Sequence, residues 1–372
     1  MICMIFTENI IQGVNLKVSG ALKAYKREMK LVTGKETNRT LLLAINRISF
    51  LRPRERLLLA DMLSGEGDFL RISKKTLEEM LGRRLKTAFF EADSYLTEAL
   101  REEKYLTNRN ILCTFYNNAD YPRFLASIYD PPLVLYYRGN LDSCDFDAIA
   151  VVGTRRPDRN GIRASFELGM ELGNRGITVV SGLARGIDSQ AHLGCVSTGG
   201  RAVAVLGTGV DYIYPASNRN LATAILDKGG AIVSEYPTGT PPARYNFPAR
   251  NRIISGLAGT TVIVQAPKKS GALFTADYAL DQGRDLFVHE VGLSEGFEGT
   301  IKLCADGAKV IRNACDLSTS LCNGLWEDED YGKEAGMKIE NTDETPEGMA
   351  KYIEMELEQK IIRRHGEMYW RT

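Results

Sequence analysis

Between residues 148 and 237 the chain repeats one pattern: a short β-branched or alanine-rich run, a glycine or polar stop, then a helix-length stretch. The runs 148–152, 177–180, 201–206 and 231–234 stop at Gly153, Ser181-Gly182, Gly207-Thr208-Gly209 and Glu235. The first is followed by a helix-like segment at 161–174, and strand 261–265, helix 272–282 and strand 285–288 continue the pattern. Apolar strands alternating with helices predict a parallel sheet with right-handed crossovers, whose ligands bind at the carboxyl ends of the strands. Loops there lead into helix N-termini, where free backbone N–H groups and the helix dipole favour an anion.

At 372 residues the chain is long enough for this core and one or two appendages. Residues 1–38 are a poorly patterned basic leader, and residues 39–110 form a small all-helical domain. In the latter, Pro53 starts a helix that Gly65 and Gly67 end, Ser73 caps a helix over 77–81, and residues 85–100 carry apolar side chains at helical spacing. The sheet domain takes 111–315; its strand 133–137, after Pro131-Pro132, joins the sheet edge. An acidic linker at 316–340 precedes a short segment, 341–372, in which a helix over 345–359 and a hairpin over 361–371 make the outline of a winged helix.

Lys and Arg number 47, as do Asp and Glu, so net charge is zero. Its distribution is uneven: about +3 before residue 148, about +4 over 148–312 and about −7 beyond. The positive charge sits with the glycine loops. No run approaches the roughly 20 apolar residues of a membrane span. The apolar start lacks a basic n-region before Glu8, and seven cysteines without a C-x-x-C pair indicate neither a zinc site nor a disulfide framework. A cytoplasmic protein without metal or cofactor is expected.

The first loop, Gly153-Thr154-Arg155, is not the G-x-G-x-x-G of dinucleotide sites, and the second strand ends without the acidic residue such sites need. The P-loop pattern is missing too. Three histidines and no carboxylate pair of fixed spacing give little for acid–base chemistry, and Asp188 and His192, four apart on one helix, read as capping or packing groups. No catalytic residue is assigned. Arg155, Arg185, Arg244, Arg250 and Arg252 fall at predicted loop ends, each able to neutralise a phosphate, and Phe247 offers a stacking face for a base. Single-stranded nucleic acid uses all of these.

In these segments the chain resembles the DNA processing protein A family (DprA, also called Smf). The matching residues are Gly153-Thr154-Arg155, Ser181-Gly182 through Arg185 to Asp188 with His192, Gly207 to Asp211 with Tyr214-Pro215 and Asn218, residues 234–237, Phe247 to Gly256, and Ser270-Gly271 to Ala276 with Gly283-Arg284. The resemblance implies an α/β fold: an extended Rossmann-like parallel sheet core, a small N-terminal all-helical (SAM-like) domain and a short C-terminal winged-helix-like segment. It implies a non-enzymatic protein of natural transformation and recombination that binds and protects incoming single-stranded DNA, helps load the RecA recombinase, and forms a homodimer. It carries DNA contact to Arg155, Ser181, Gly182, Arg244 and Phe247, with Arg250, Asn251 and Arg252 organising or lining the same pocket, and Gly153, Thr154, Arg185, Ser270 and Gly271 are expected to bind DNA beside them. Where the family has Pro-Gly and then Gly-Cys-Asn beyond this region, the chain has His289 to Gly292 and Gly299 to Ile301. The alternative is a nucleotide-processing, phosphoribohydrolase-like enzyme on a related fold. Its Pro-Gly-Gly-x-Gly-Thr loop with a following glutamate is replaced by residues 269–275 and Asp277.

Overall fold

The computed structural model describes residues 38–141 and 148–317, together with the backbone of three strands further on. Residues 1–37 of the expected leader (1–38) and the helix expected at 345–359 lie outside the described residues. The chain divides after Arg39, and the described elements make up the unit from Thr40 to Thr372, the first helix beginning at the division.

Among the described residues five helices come first: α1 (Arg39–Arg47), α2 (Pro53–Met62), α3 (Glu66–Leu70), α4 (Lys74–Leu81) and α5 (Ala92–Asn108). Proline opens α2, and the Ser73 side chain accepts the Thr76 N–H to cap α4. The structure corrects two expectations. Gly65 precedes α3 and Gly67 lies inside it, so the pair does not end α2. The helix expected at 85–100 starts only at Ala92 and runs on to Asn108. Gly82 closes α4 at φ 66°, and the chain after it is held by Arg83 donating to Glu55 at 2.6 and 2.7 Å and by the Leu85 N–H on Glu78. Leu85 and Phe90 enter the core from this loop, Phe90 against Phe50, Phe69 and Tyr95.

Then β1 (Leu112–Phe115), α6 (Arg123–Ala126) and β2 (Val134–Gly139) lead into the doubly wound core. It comprises β3 (Ala148–Val152), α7 (Arg159–Asn174), β4 (Thr178–Ser181), α8 (Ile187–Ser197), β5 (Ala202–Val205), α9 (Arg219–Asp227), β6 (Ala231–Ser234), α10 (Asn246–Gly256), β7 (Thr260–Ile263), α11 (Ala272–Asp281), β8 (Asp285–His289), α12 (Glu298–Ala305) and β9 (Lys309–Ile311). One nine-stranded sheet has the order β1-β2-β6-β5-β4-β3-β7-β8-β9. From β6 to β9 the pairing is parallel, while β2 runs antiparallel to β6 and β1 antiparallel to β2. The strand expected at the sheet edge is therefore second from it.

Strands β3 to β7 are buried along their whole length, as covered parallel strands must be, which is why they read as continuous apolar runs. Alternation sends Ile149 and Val151 into a core under α7, α8 and α9, and Ala148, Ala150 and Val152 into another under α10 and α11. A third core fills the helical region and reaches the sheet: Val134 and Tyr136 of β2 belong to it, whereas Leu135 between them belongs to the core under α10. Further on, β10 (Ala335–Lys338) and β11 (Ile361–Arg364) both pair antiparallel with β12 (Glu367–Arg371), so the expected hairpin forms and gains a strand from within the stretch read as a linker.

Helices α7 and α8 lie unusually close because glycine stands at the contact. A Cβ on Gly194 would come within 2.0 Å of the Phe166 carbonyl oxygen, and one on Gly169 within 2.2 Å of that of Ala191. Gly194→Ala is expected to force the helices apart and cost about 1–3 kcal/mol in urea denaturation. An unchanged midpoint would show that the contact is not tight.

Candidate nucleic-acid interface

The order reverses between β3 and β7: units after β3 add on one side, and β7 returns to the other. A crevice at the carboxyl ends of the strands follows from that reversal. The loop Gly153-Thr154-Arg155 opens onto it. Its backbone is fixed, with the Thr154 N–H donating to the Gln265 carbonyl at 2.8 Å and the Ile187 N–H to the Thr154 carbonyl at 3.3 Å. Gln265 also donates to Asp158 at 2.9 Å, and Asp158 caps α7 through the Gly161 N–H at 2.7 Å. Thr154 is buried, and Arg155 is exposed at the end of this rigid turn.

The second loop is braced from beneath. The Ser181 hydroxyl donates to the Val151 carbonyl at 2.6 Å and is fully buried. The Gly182 N–H donates to Asp188 at 3.1 Å, and the Gly182 carbonyl accepts from Arg250 at 2.9 Å. Arg250 also donates to the Val205 carbonyl. The Asn218 side chain donates to the Leu183 carbonyl at 2.9 Å, where Leu183 has φ 55°. Arg185, in the same loop, is exposed.

The other wall comes from α10 and the loop after β5. Arg244 is exposed just ahead of α10, and Phe247 is half-buried in its first turn. Phe247 rests on Gly207, where a Cβ would stand 2.9 Å from the ring. The Asn246 side chain donates to the Gly207 carbonyl at 3.0 Å and fixes that contact. The Arg155 guanidinium carbon lies 5.6 Å from the Phe247 ring centre, and the Tyr214 ring lies 5.4 Å from it at a tilt of 37°. One arginine and two aromatic rings, from two loops and the first turn of α10, thus meet at the crevice. Tyr214, 42% exposed, is an addition to the residues expected to bind; an aromatic side chain next to Pro215 in a glycine-led loop is the available signal.

Arg250 and Arg252 correct the expectation that both neutralise phosphate. They are 4% and 2% exposed. Arg252 forms a forked pair with Glu235 at 2.5 and 2.8 Å and meets Asp130 at 3.0 Å. Burial opposes its charge, yet Glu235 and Asp130 outweigh burial and raise its pKa. Burial lowers Arg250 to about 10 against the opposing pull of Asp188, so it stays charged at neutral pH. Asn251 accepts from Arg250 at 3.2 Å and donates to the Gly271 carbonyl at 3.1 Å, tying half-buried Ser270 and exposed Gly271 to α10. The Arg-Asn-Arg run organises the crevice from behind.

Among the described residues no cluster of three or more His, Cys, Asp and Glu side chains forms a metal site, and no helix is long and apolar enough to cross a membrane.

The fold defines a Rossmann-like α/β protein with a basic, aromatic-lined carboxyl edge. The family model described as DNA recombination-mediator protein A matches residues 112–321. The Smf protein of Synechocystis is 42% identical over 253 residues, 66% of this chain and 61% of that protein, and the Smf protein of Borreliella burgdorferi is 33% identical over 276 residues, 74% and 86%. The crystal structure of DNA processing protein A from Streptococcus pneumoniae superposes with a TM-score of 0.61 at 29% identity, covering 77% of this chain and 98% of that one. The Helicobacter pylori protein, whose structure describes a single-stranded DNA binding mode, gives 0.51 at 31% identity over 56% and 95%. The chain belongs to the DNA recombination-mediator protein A (DprA/Smf) family.

His192 is fully buried on α8, and burial lowers its pKa to about 3. An unfolded histidine titrates near 6.5, so the stability gained by keeping His192 neutral is present above that pH and lost as pH falls from about 6.5 towards 3. His192→Leu is expected to flatten the acid side of the stability profile by up to about 1.4 kcal/mol per pH unit, read from urea midpoints at pH 7, 6 and 5. Parallel profiles for the two proteins would refute this.

Proposed function

We propose that the chain binds single-stranded DNA along the carboxyl edge of its sheet, as a DNA processing protein of natural transformation and recombination. The observation that carries this reading is the meeting of Arg155 with Phe247 and Tyr214. Exposed guanidinium groups on Arg155, Arg185 and Arg244 take phosphates, and aromatic faces take unpaired bases, a combination that tolerates any sequence. Gly153, Thr154, Ser181, Gly182, Arg250, Asn251, Arg252, Ser270 and Gly271 hold the loops that present these groups. Kinship with the Helicobacter pylori protein, described by its single-stranded DNA binding mode, supports the same ligand. In this reading the protein is a cytoplasmic homodimer that acts by binding rather than catalysis, shields the incoming strand and hands it to RecA.

Fluorescence anisotropy with labelled oligo-dT and a matched duplex tests this. Phe247→Ala is expected to weaken oligo-dT binding by about 1–3 kcal/mol, and Tyr214→Ala to do the same to a smaller extent. Arg155→Ala and Arg244→Ala should each lower the slope of log K against log salt by about 0.7. Equal affinity for duplex and single strand, or a salt slope indifferent to both arginines, would sink the assignment. Hydrolysis of nucleoside monophosphates by the wild type would move it to the phosphoribohydrolase-like alternative.

A further inference from the structure

The segment from Glu235 to Tyr245, which carries Arg244 and leads into Phe247, is fastened at three points to the helical domain. The Asn46 side chain of α1 donates to the Glu235 carbonyl at 3.2 Å. Glu102 of α5, 4% exposed, accepts from the Thr238 N–H at 2.9 Å and from its hydroxyl at 3.0 Å with one carboxylate oxygen, while the other meets Arg47 at 2.7 Å. The Tyr105 hydroxyl of α5 donates to Asp211 at 3.1 Å, and Asp211 accepts the Gly239 N–H at 3.0 Å. From there the contacts run inward. The Thr240 carbonyl accepts the Gly209 N–H at 3.0 Å, the Tyr236 hydroxyl donates to the Asn246 carbonyl at 3.3 Å, and Asn246 holds Gly207 beneath Phe247.

Resting on the single-stranded DNA reading, we propose that Glu102 and Tyr105 are positioning residues for the DNA-binding wall: the helical region acts through Thr238 and Asp211 to fix where Phe247 stands. A carboxylate buried on a helix to receive two donors of one threonine far along the chain has no evident use in the helical core itself, since its partners there are Arg47 and Tyr136 at the domain boundary. Without these ties the segment keeps its chain connections but loses its external register, and the aromatic ring no longer meets a base at a fixed height. Phosphate capture by Arg155 is independent of them, because its loop is held by Gln265 and Ile187.

The test uses the full chain with Thr238→Val and Tyr105→Phe, singly and together; each removes one hydroxyl and leaves the side-chain shape. The double variant is expected to bind oligo-dT roughly fivefold more weakly, with the salt slope unchanged. In a Phe247→Ala background the same pair should change affinity by less than about twofold, because the ring they position is gone. Glu102→Gln, which keeps an acceptor for Thr238, should bind more tightly than Glu102→Ala, with hydrogen exchange at the Thr238 and Gly239 amides following the same order. An equal loss with and without Phe247 would mean general loosening and overturn the proposal. So would unchanged affinity in the double variant while Phe247→Ala alone weakens binding, an outcome that leaves the DNA reading standing. If wild type and every variant fail to bind oligo-dT, the DNA reading fails and takes this inference with it.

Discussion

The buried pairing of Arg252 with Glu235 is the contact on which the crevice depends. It joins α10 to the end of β6, and through Asp130 to the chain ahead of β2, so three parts of the sheet's carboxyl side share one guanidinium. Two charges taken out of water are costly singly and tolerable only together, which makes the pair weak as a source of stability and strong as a constraint on geometry. Arg250, two residues earlier on the same helix, plays a comparable part with neutral partners, gripping the carbonyls of Gly182 and Val205.

This yields a division among arginines of the same motif region. Arg155, Arg185 and Arg244 keep their guanidinium groups at the surface, whereas Arg250 and Arg252 commit theirs to backbone and carboxylate oxygens. A planar fork with five donors suits both tasks. The buried pair gives the neighbouring loops a fixed backbone, while the exposed arginines keep their own side-chain freedom.

Much of the fold is legible because buried parallel strands write themselves as unbroken apolar runs: 148–152 and 231–234 match β3 and β6 to the residue. The site is half legible. Gly153-Thr154-Arg155 and Phe247 announce themselves by position after strands and before a helix. The role of Arg252 does not, because the carboxylate and carbonyl that bury it lie 17 and 122 residues away in the chain, a proximity only the folded topology creates. The place of Tyr214 beside Phe247 is hidden for the same reason: its own loop marks it by Pro215, but nothing local names Phe247 as its neighbour. The helix expected over 85–100 misleads differently, since Leu85 and Phe90 reach the core from a loop tied down by Arg83 and Glu55, and apolar content alone does not separate that from a helix.

Strand β2 has a side chain for each of two interiors: Val134 and Tyr136 lie with the helices, Leu135 with the sheet's own core. A border drawn near residue 110 is thus a border in sequence and not in packing. The helical region is a wall of the sheet domain as much as a neighbour of it, and loss of one during evolution would leave the other with a bare apolar flank.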